Sequence, residues 1–313
     1  MKEYTSQNIR NIALVSHSSS GKTMLAEAFL HVTGATTRLG KIEDGTTVSD
    51  FDEEEVRRGI SLYTSVIPVE YKDVKVNVLD TPGYTDFVGE VISALRVADG
   101  AVILVDSVAG LEVGTEIAWK YSDMFKLPRF VVINKMEREN ANFNKALTSV
   151  QEYIETRLIP VQLPWGEKAD FKGVIDLLAM KAIKSDGKTL VDIPAEYKDA
   201  AETAHTALVE TAAESEDALM EKYFESGTLS DEEVITGLRK GFLSGSFVPV
   251  FACSGTAEIG VLPLLDAIVR WMPNPTEVPA AVGKLKDAEE TLPASDSGPL
   301  AAYVWKTTRS EER

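Results

Sequence analysis

The chain has 313 residues, of which 44% are hydrophobic and 26% charged, a globular balance that allows one large domain or two modest ones. A net charge of −17 argues against DNA as a partner, because phosphate contacts need clustered cations. The single cysteine excludes an intrachain disulfide, and the apolar runs are too short to span a bilayer. We therefore expect a cytoplasmic protein with no membrane partner.

Short apolar runs alternate with helical patterns along the first half of the chain. The sequence predicts strands at 11–15, 74–79, 101–105 and 130–133. It predicts helices around 24–32, 85–97 and 114–125, and another that begins near Asn142. This alternation predicts an α/β fold with a doubly wound, mostly parallel sheet, whose strand-end loops bind ligands along one edge.

The alternation breaks after about residue 159. Short strands are predicted within 171–183 and at 188–193, around the turn at Ser185-Asp186-Gly187, and one long helix at about 195–224. A capping box, Ser230 to Glu233, precedes a further helix, and the α/β alternation resumes with a strand at 248–253 and a helix at 262–272. We interpret about 159–247 as an α+β insert inside a domain that spans residues 1–280.

The composition changes again beyond Pro273. Closely spaced prolines indicate an exit from the domain, and 287–298 is acidic and rich in small residues, as linkers are. Residues 300–306 have a strand pattern. We expect 281–313 to be a linker and the truncated start of a second, β-barrel domain, and the fragment to be monomeric.

The first motif follows the first predicted strand and opens the first predicted helix. It is a near match to the P-loop pattern G-x-x-x-x-G-K-[ST], formed by Ser16, His17, Ser18, Ser19, Ser20, Gly21, Lys22 and Thr23. Backbone N–H groups at such a helix start cradle phosphates, the lysine reaches the β- and γ-phosphates, and the hydroxyl binds Mg²⁺. The alternative is an ordinary strand-to-helix turn with a surface lysine.

A second motif ends the strand at 74–79. It matches D-x-x-G and consists of Asp80, Thr81, Pro82 and Gly83. The aspartate of this pattern supports Mg²⁺ and the glycine N–H meets the γ-phosphate. A plain turn is the alternative, because proline and glycine favour turns in any context.

Two further elements at strand ends predict the base pocket. The first, which resembles N-K-x-D, is Asn134, Lys135, Met136 and Glu137; the second is Cys253, Ser254 and Gly255. The carboxylate accepts hydrogen bonds from guanine N1–H and its exocyclic amine, a pair of adjacent donors that adenine lacks. Because Glu137 is one methylene longer than aspartate, a P-loop ATPase or kinase with relaxed base choice remains an alternative. Along the chain, the motifs follow the order phosphate loop, Mg²⁺ motif and two base motifs, and this order favours GTP and GDP as ligands.

Across residues 8–275 the chain resembles the elongation factor G family of translational GTPases. Residues 58–61, Arg-Gly-Ile-Ser, resemble that family's R-G-I-T, and 171–177 and 219–223 resemble its extra subdomain. The resemblance implies a GTPase with Mg²⁺ as cofactor, the ribosome as partner, and a switch I segment at 38–65 that orders around GTP. It also implies that Ser61 joins Thr23 and Asp80 as a metal ligand.

The chain departs from that family at three positions that bear on catalysis. Tyr84 stands where the family has the histidine that positions the attacking water, Ser61 replaces threonine, and Ser19 replaces a P-loop aspartate. We expect a divergent paralogue in which Lys22, Gly83 and Tyr84 are the catalytic residues. The alternatives are a weakly hydrolysing GTP/GDP switch and a ribosome-protection or recycling GTPase.

Overall fold

A computed structural model describes residues 2–285 and 288–307. The strands are β1 (Ile9–Val15), β2 (Ser65–Tyr71), β3 (Val74–Asp80), β4 (Gly100–Asp106), β5 (Arg129–Asn134), β6 (Arg157–Pro160), β7 (Gln162–Trp165), β8 (Gly173–Asp176), β9 (Lys181–Lys184), β10 (Leu190–Val191), β11 (Phe247–Ala252), β12 (Ala281–Leu285) and β13 (Ala288–Leu292). The α-helices are α1 (Lys22–Val32), α2 (Glu53–Arg58), α3 (Val88–Val97), α4 (Val113–Met124), α5 (Phe143–Gln151), α6 (Lys198–Ala213), α7 (Asp217–Ser226), α8 (Asp231–Ser244) and α9 (Val261–Trp271).

The central element is a seven-stranded sheet in the order β2-β3-β1-β4-β5-β11-β6. All neighbours pair in parallel except β2 and β3, which form an antiparallel hairpin at one edge. Helices α1 and α9 pack on one face, and α3, α4 and α5 pack on the other. The predicted doubly wound α/β sheet is therefore confirmed.

Strand β4 shows why the sheet forms the core. Every residue of this strand is buried, and its side chains alternate between the two faces. Val102 and Leu104 belong to the apolar cluster under α1 and α9, whereas Ile103 and Val105 belong to the cluster under α3, α4 and α5. A strand covered on both faces is a continuous apolar run, which is the pattern that identified it.

Between β6 and β11 the chain forms a four-stranded antiparallel sheet, β10-β9-β8-β7, together with α6, α7 and α8. The single long helix predicted at about 195–224 is wrong. A turn at 214–216 separates α6 from α7, and a 3₁₀ turn precedes α6. The turn lets Leu219 and Met220 of α7 fold back onto the apolar cluster that also buries Leu208 and Ala212 of α6. The predicted capping box is confirmed, because Ser230 and Glu233 exchange side-chain and backbone hydrogen bonds at the start of α8.

The strand predicted at 300–306 is also wrong. Residues 301–307 lie outside any helix or strand, and over the described chain this segment pairs with no other strand. The predicted linker at 287–298 instead contributes β13 to an antiparallel hairpin with β12, while Asp287 itself lies outside the described residues. Among the described residues, no helix is both long and apolar enough to cross a membrane.

Candidate nucleotide-binding site

The four predicted motifs meet at one edge of the sheet. They follow β1, β3, β5 and β11 directly, and the carboxyl ends of parallel strands point the same way. The Ser16 hydroxyl donates to the Leu104 carbonyl of neighbouring β4, which ties the first loop to the sheet. The parallel order of these strands therefore brings the four loops together at one edge of the sheet.

The loop between β1 and α1 has the backbone that phosphate binding requires. Ser19 and Gly21 both have left-handed backbones, with φ of 61° and 96°. A Cβ atom at Gly21 would lie 2.5 Å from Asn134 Nδ2, so only glycine fits there. Helix α1 begins at Lys22, so its free N–H groups point into this loop.

Lys22 folds back across the same loop. Its Nζ donates to the His17 carbonyl at 2.8 Å and to the Ser16 carbonyl at 3.3 Å. Burial lowers the pKa of Lys22 to about 8, although Asp80 opposes that shift. The ammonium group is thus desolvated and held at the centre of the loop, where bound phosphates would supply negative charge.

Oxygen ligands for a divalent cation converge beside this lysine. Thr23 Oγ1 donates to Asp80 Oδ2 at 2.8 Å and lies 3.2 Å from Ser61 Oγ. The other carboxylate oxygen of Asp80 is buried and has no hydrogen-bond partner among the described residues. Burial and the nearby Asp50 raise the pKa of Asp80 to about 7. Hydroxyl and carboxylate oxygens suit Mg²⁺, and a cation would stabilise the charged carboxylate, so these residues fit the predicted metal.

The sequence interpretation did not include Asp50 among the ligands. Burial raises its pKa to about 6, and a hydrogen bond with the Ser61 side chain partly offsets that shift. Asp50 thereby places a second carboxylate next to the predicted ligand set. The available signal was its position just before the capping box that Asp52 and Glu55 form at the start of α2.

Gly83 packs directly against the phosphate loop. A Cβ atom there would lie 2.5 Å from Lys22 Nζ and 2.6 Å from the Ser18 backbone nitrogen. The buried Thr81 hydroxyl donates to the Leu14 carbonyl at 2.7 Å, and Pro82 is buried beside it, so the turn is fixed. Tyr84 follows with a side chain that is 42% exposed.

Asn134 joins the phosphate loop to both base loops. Its Nδ2 donates to the Ser20 carbonyl at 2.9 Å. Its Oδ1 accepts from the Gly255 N–H at 3.1 Å and from the Cys253 thiol at 3.2 Å. All of these atoms are buried, so one side chain fixes the distance between the predicted phosphate and base sites.

The remaining base-loop residues extend this network of hydrogen bonds. Met136 is fully buried and its N–H donates to the Cys253 carbonyl, while Ser254 Oγ accepts from the Ala257 N–H at 3.0 Å. Burial, together with the charge of Glu137, raises the pKa of the Cys253 thiol. One carboxylate oxygen of Glu137 is buried without a partner among the described residues. An acceptor of this kind matches the donors of guanine.

Lys135 and its anchor complete this side of the site. Lys135 has a left-handed backbone and donates to the Ser19 carbonyl and, at 3.0 Å, to Asp106 Oδ2. Asp106 also accepts from Arg138 and from the Val108 and Ala109 N–H groups. The sequence analysis missed Asp106, although an aspartate directly after a buried strand was a usable signal.

His17 has the backbone-supporting geometry that its position in the loop suggests. Its Nδ1 accepts from the Gly114 N–H at 3.2 Å, and its Nε2 lies 3.5 Å from Glu112. The imidazole therefore connects the phosphate loop to the start of α4.

The fold and the site together define a P-loop GTPase domain. A sequence model described as the elongation factor Tu GTP binding domain matches residues 7–274, so the chain belongs to this family of translational GTPases. The fold is similar to that of the protein ttk003000868 from Thermus thermophilus, with a TM-score of 0.82 and 36% sequence identity. That match covers 87% of this chain and 41% of the Thermus chain, so this chain spans less than half of that relative's length. The predicted translational GTPase class is confirmed.

Proposed function

We propose that this chain is the GTP-binding and GTP-hydrolysing part of a cytoplasmic translation factor that resembles elongation factor G and acts on the ribosome. Residues 1–280 form the GTPase domain with the insert at about 159–247, and 281–313 lead into a second domain. The observation that carries the proposal is the hydrogen-bonded group of Thr23, Ser61 and Asp80 beside the buried Lys22 ammonium.

The proposed residue roles follow from charge and position. Lys22 and the loop N–H groups would neutralise the phosphates, and Thr23, Ser61 and Asp80 would hold Mg²⁺, which would supply further positive charge to them. The Gly83 N–H contacts the γ-phosphate side, and the Tyr84 hydroxyl orients the attacking water. Glu137 accepts from the guanine base, and Asn134 keeps the two halves in register.

Base choice gives the most direct test. We would titrate the chain with fluorescent GDP in Mg²⁺ and displace it with GDP or ADP. A charge-assisted hydrogen bond contributes about 1.5–3 kcal/mol, so GDP should compete at least about tenfold better than ADP. Equal competition would contradict the guanine assignment and leave only a P-loop nucleotide-binding fold. Phosphate release that ribosomes do not stimulate would contradict the ribosomal role.

Tyr84 supports a second candidate, a GTP/GDP switch that hardly hydrolyses. Its side chain is 42% exposed, and a phenol is a weaker base than imidazole at neutral pH. Under this alternative, Tyr84→His raises turnover by about tenfold or more, within the range of general-base catalysis. A wild-type rate equal to that of the histidine variant would exclude the alternative.

A further inference from the structure

The end of switch I is held by contacts that come from far along the chain. Thr64 lies just beyond the predicted ligand Ser61 and is only 5% exposed. Its N–H donates to Glu90 Oε2 at 2.7 Å, and its hydroxyl donates to the Glu90 carbonyl at 3.3 Å. Its own carbonyl accepts from Lys306 Nζ at 2.7 Å. Every polar group of Thr64 is therefore bound to one of two residues.

Lys306 closes this arrangement. Its Nζ also lies 2.9 Å from Glu90 Oε2 and 5.3 Å from the centroid of the Tyr63 ring. The Lys306 and Glu90 side chains are 14% and 27% exposed, so solvent screens this ion pair less than it screens a surface pair. The ammonium group thus bonds the backbone of switch I and the carboxylate of α3 at the same time.

The neighbours of Lys306 extend the contact along α3. The Tyr303 ring lies 5.7 Å from the Arg96 guanidinium, and Trp305 packs against the apolar cluster on the α3 side of the sheet. Residues 303–307 lie beyond the stretch 7–274 that matches the family, yet Lys306 contacts switch I and α3, and Tyr303 contacts α3. We name residues 303–307 the clamp segment.

We propose that Lys306 is a positioning residue for GTP binding, which holds Thr64 against Glu90 and so fixes Ser61 relative to Gly83. This inference rests on the proposed function, in which Ser61 and Gly83 act on the Mg²⁺ and γ-phosphate side. GTP engages both elements, whereas GDP lacks the γ-phosphate, so docking of the clamp segment favours GTP over GDP. By linkage, bound GTP tightens the docking of the clamp segment to the same extent.

The test compares nucleotide discrimination in the whole chain. We would measure the Kd of GDP and of a non-hydrolysable GTP analogue at fixed Mg²⁺ for wild type, Lys306→Ala and Lys306→Arg. Lys222→Ala is the matched control, because Lys222 makes an exposed ion pair with Glu233 in the insert. Loss of partly buried charged hydrogen bonds should weaken the analogue about three- to tenfold and GDP less than about twofold. Lys306→Arg should recover most of the loss, and Lys222→Ala should match wild type.

Each result has a defined meaning. Equal weakening of both nucleotides, or an unchanged ratio in Lys306→Ala, overturns the inference and leaves the proposed function intact. A wild-type chain that binds neither nucleotide overturns the proposed function and the inference with it. If Lys306→Ala does not fold, Glu90→Gln removes the same ion pair at constant side-chain size and must show the same selective loss of analogue binding.

Discussion

The phosphate side and the base side of the site meet at Asn134, but they satisfy their polar groups differently. On the base side, Asn134 uses its amide oxygen for Gly255 and Cys253 and its amide nitrogen for the phosphate loop. On the phosphate side, Lys22 and Asp80 are buried, and burial shifts both pKa values toward the neutral forms.

This difference shows that the fold alone assembles the base side, whereas the phosphate side needs a ligand to neutralise its buried charges. The base side is held by bonds within the protein and is preformed. The phosphate side keeps desolvated charges, for which we propose phosphate oxygens and a divalent cation as partners. Changes on the phosphate side should therefore cost binding, whereas changes at Asn134 should cost folding as well.

The largest effect is expected on the phosphate side. Lys22→Ala removes the charged donor that we propose for the β-phosphate and should weaken GDP binding by about a hundredfold or more. Without nucleotide, its melting temperature should stay close to wild type, because the desolvation cost of the ammonium is lost together with its bonds. Fluorescent GDP titration and thermal denaturation without ligand measure the two effects. A large fall in melting temperature with unchanged GDP affinity would contradict the view that changes on the phosphate side affect binding and not folding.

On the base side, Asn134→Ala should destabilise the nucleotide-free chain. It leaves the Ser20 carbonyl and the Gly255 N–H buried and unpaired, which should lower the free energy of unfolding by about 2–3 kcal/mol. Urea denaturation without nucleotide measures this loss. Asn140→Ala is the control, because Asn140 is exposed near the same loop and should change stability by less than about 0.5 kcal/mol. An unfolding free energy equal to wild type would show that the base side is not preformed.

Sequence reasoning located the site because strand ends and motifs carry local signals. Continuous apolar runs such as β4 identify buried parallel strands, and each motif lies at the end of a strand that the sequence predicted. The edge strand β2 was missed, because Pro68 and Glu70 interrupt it and only alternate residues are buried. Its antiparallel pairing with β3 is a tertiary contact, which the local sequence pattern does not encode.

Other elements could not be predicted because long-range contacts define them. The acidic run at 52–55 opens α2, where Glu55 is 2% exposed and accepts from the Leu62 and Tyr63 N–H groups. The segment at 300–306 has a strand pattern, but Trp305 and Lys306 contact α3 and switch I instead. Local pattern shows which residues are apolar and does not show what covers them.

The pH dependence of the free energy of unfolding should have opposite signs for the two sides. It would be measured without nucleotide and with a chelator present to remove divalent metal ions. The raised pKa of Asp80, about 7, means that the folded state keeps a proton that the unfolded state loses near pH 4. Its contribution to stability is therefore present below about pH 4 and is lost as pH rises to about 7. As pH rises between those values, the free energy of unfolding of Asp80→Asn should increase by about 1–2 kcal/mol relative to that of wild type.

Asp106 on the base side should show the opposite trend. Burial opposes the shift, but the Val108 N–H and Lys135 outweigh it, so the pKa of Asp106 is lowered. Its contribution is present above its unfolded pKa and is lost as pH falls through the folded value. Asp106→Asn should therefore lose stability relative to wild type as pH rises from acid to neutral. Urea denaturation across pH measures both variants, and slopes of equal sign would contradict the comparison.

The smallest expected effect concerns Glu137, whose buried carboxylate oxygen has no hydrogen-bond partner among the described residues. Glu137→Asp shortens the side chain by one methylene and withdraws the buried oxygen, so GDP should bind about threefold more weakly while GDP remains preferred over ADP. Glu139→Asp, an exposed change in the same loop, should leave both affinities unchanged. Displacement of fluorescent GDP by GDP and ADP measures the two ratios. A roughly tenfold tighter Glu137→Asp would mean that the loop backbone already suits aspartate. The buried oxygen of Glu137 would then not be the guanine acceptor, and the base side would be preformed for a different side chain.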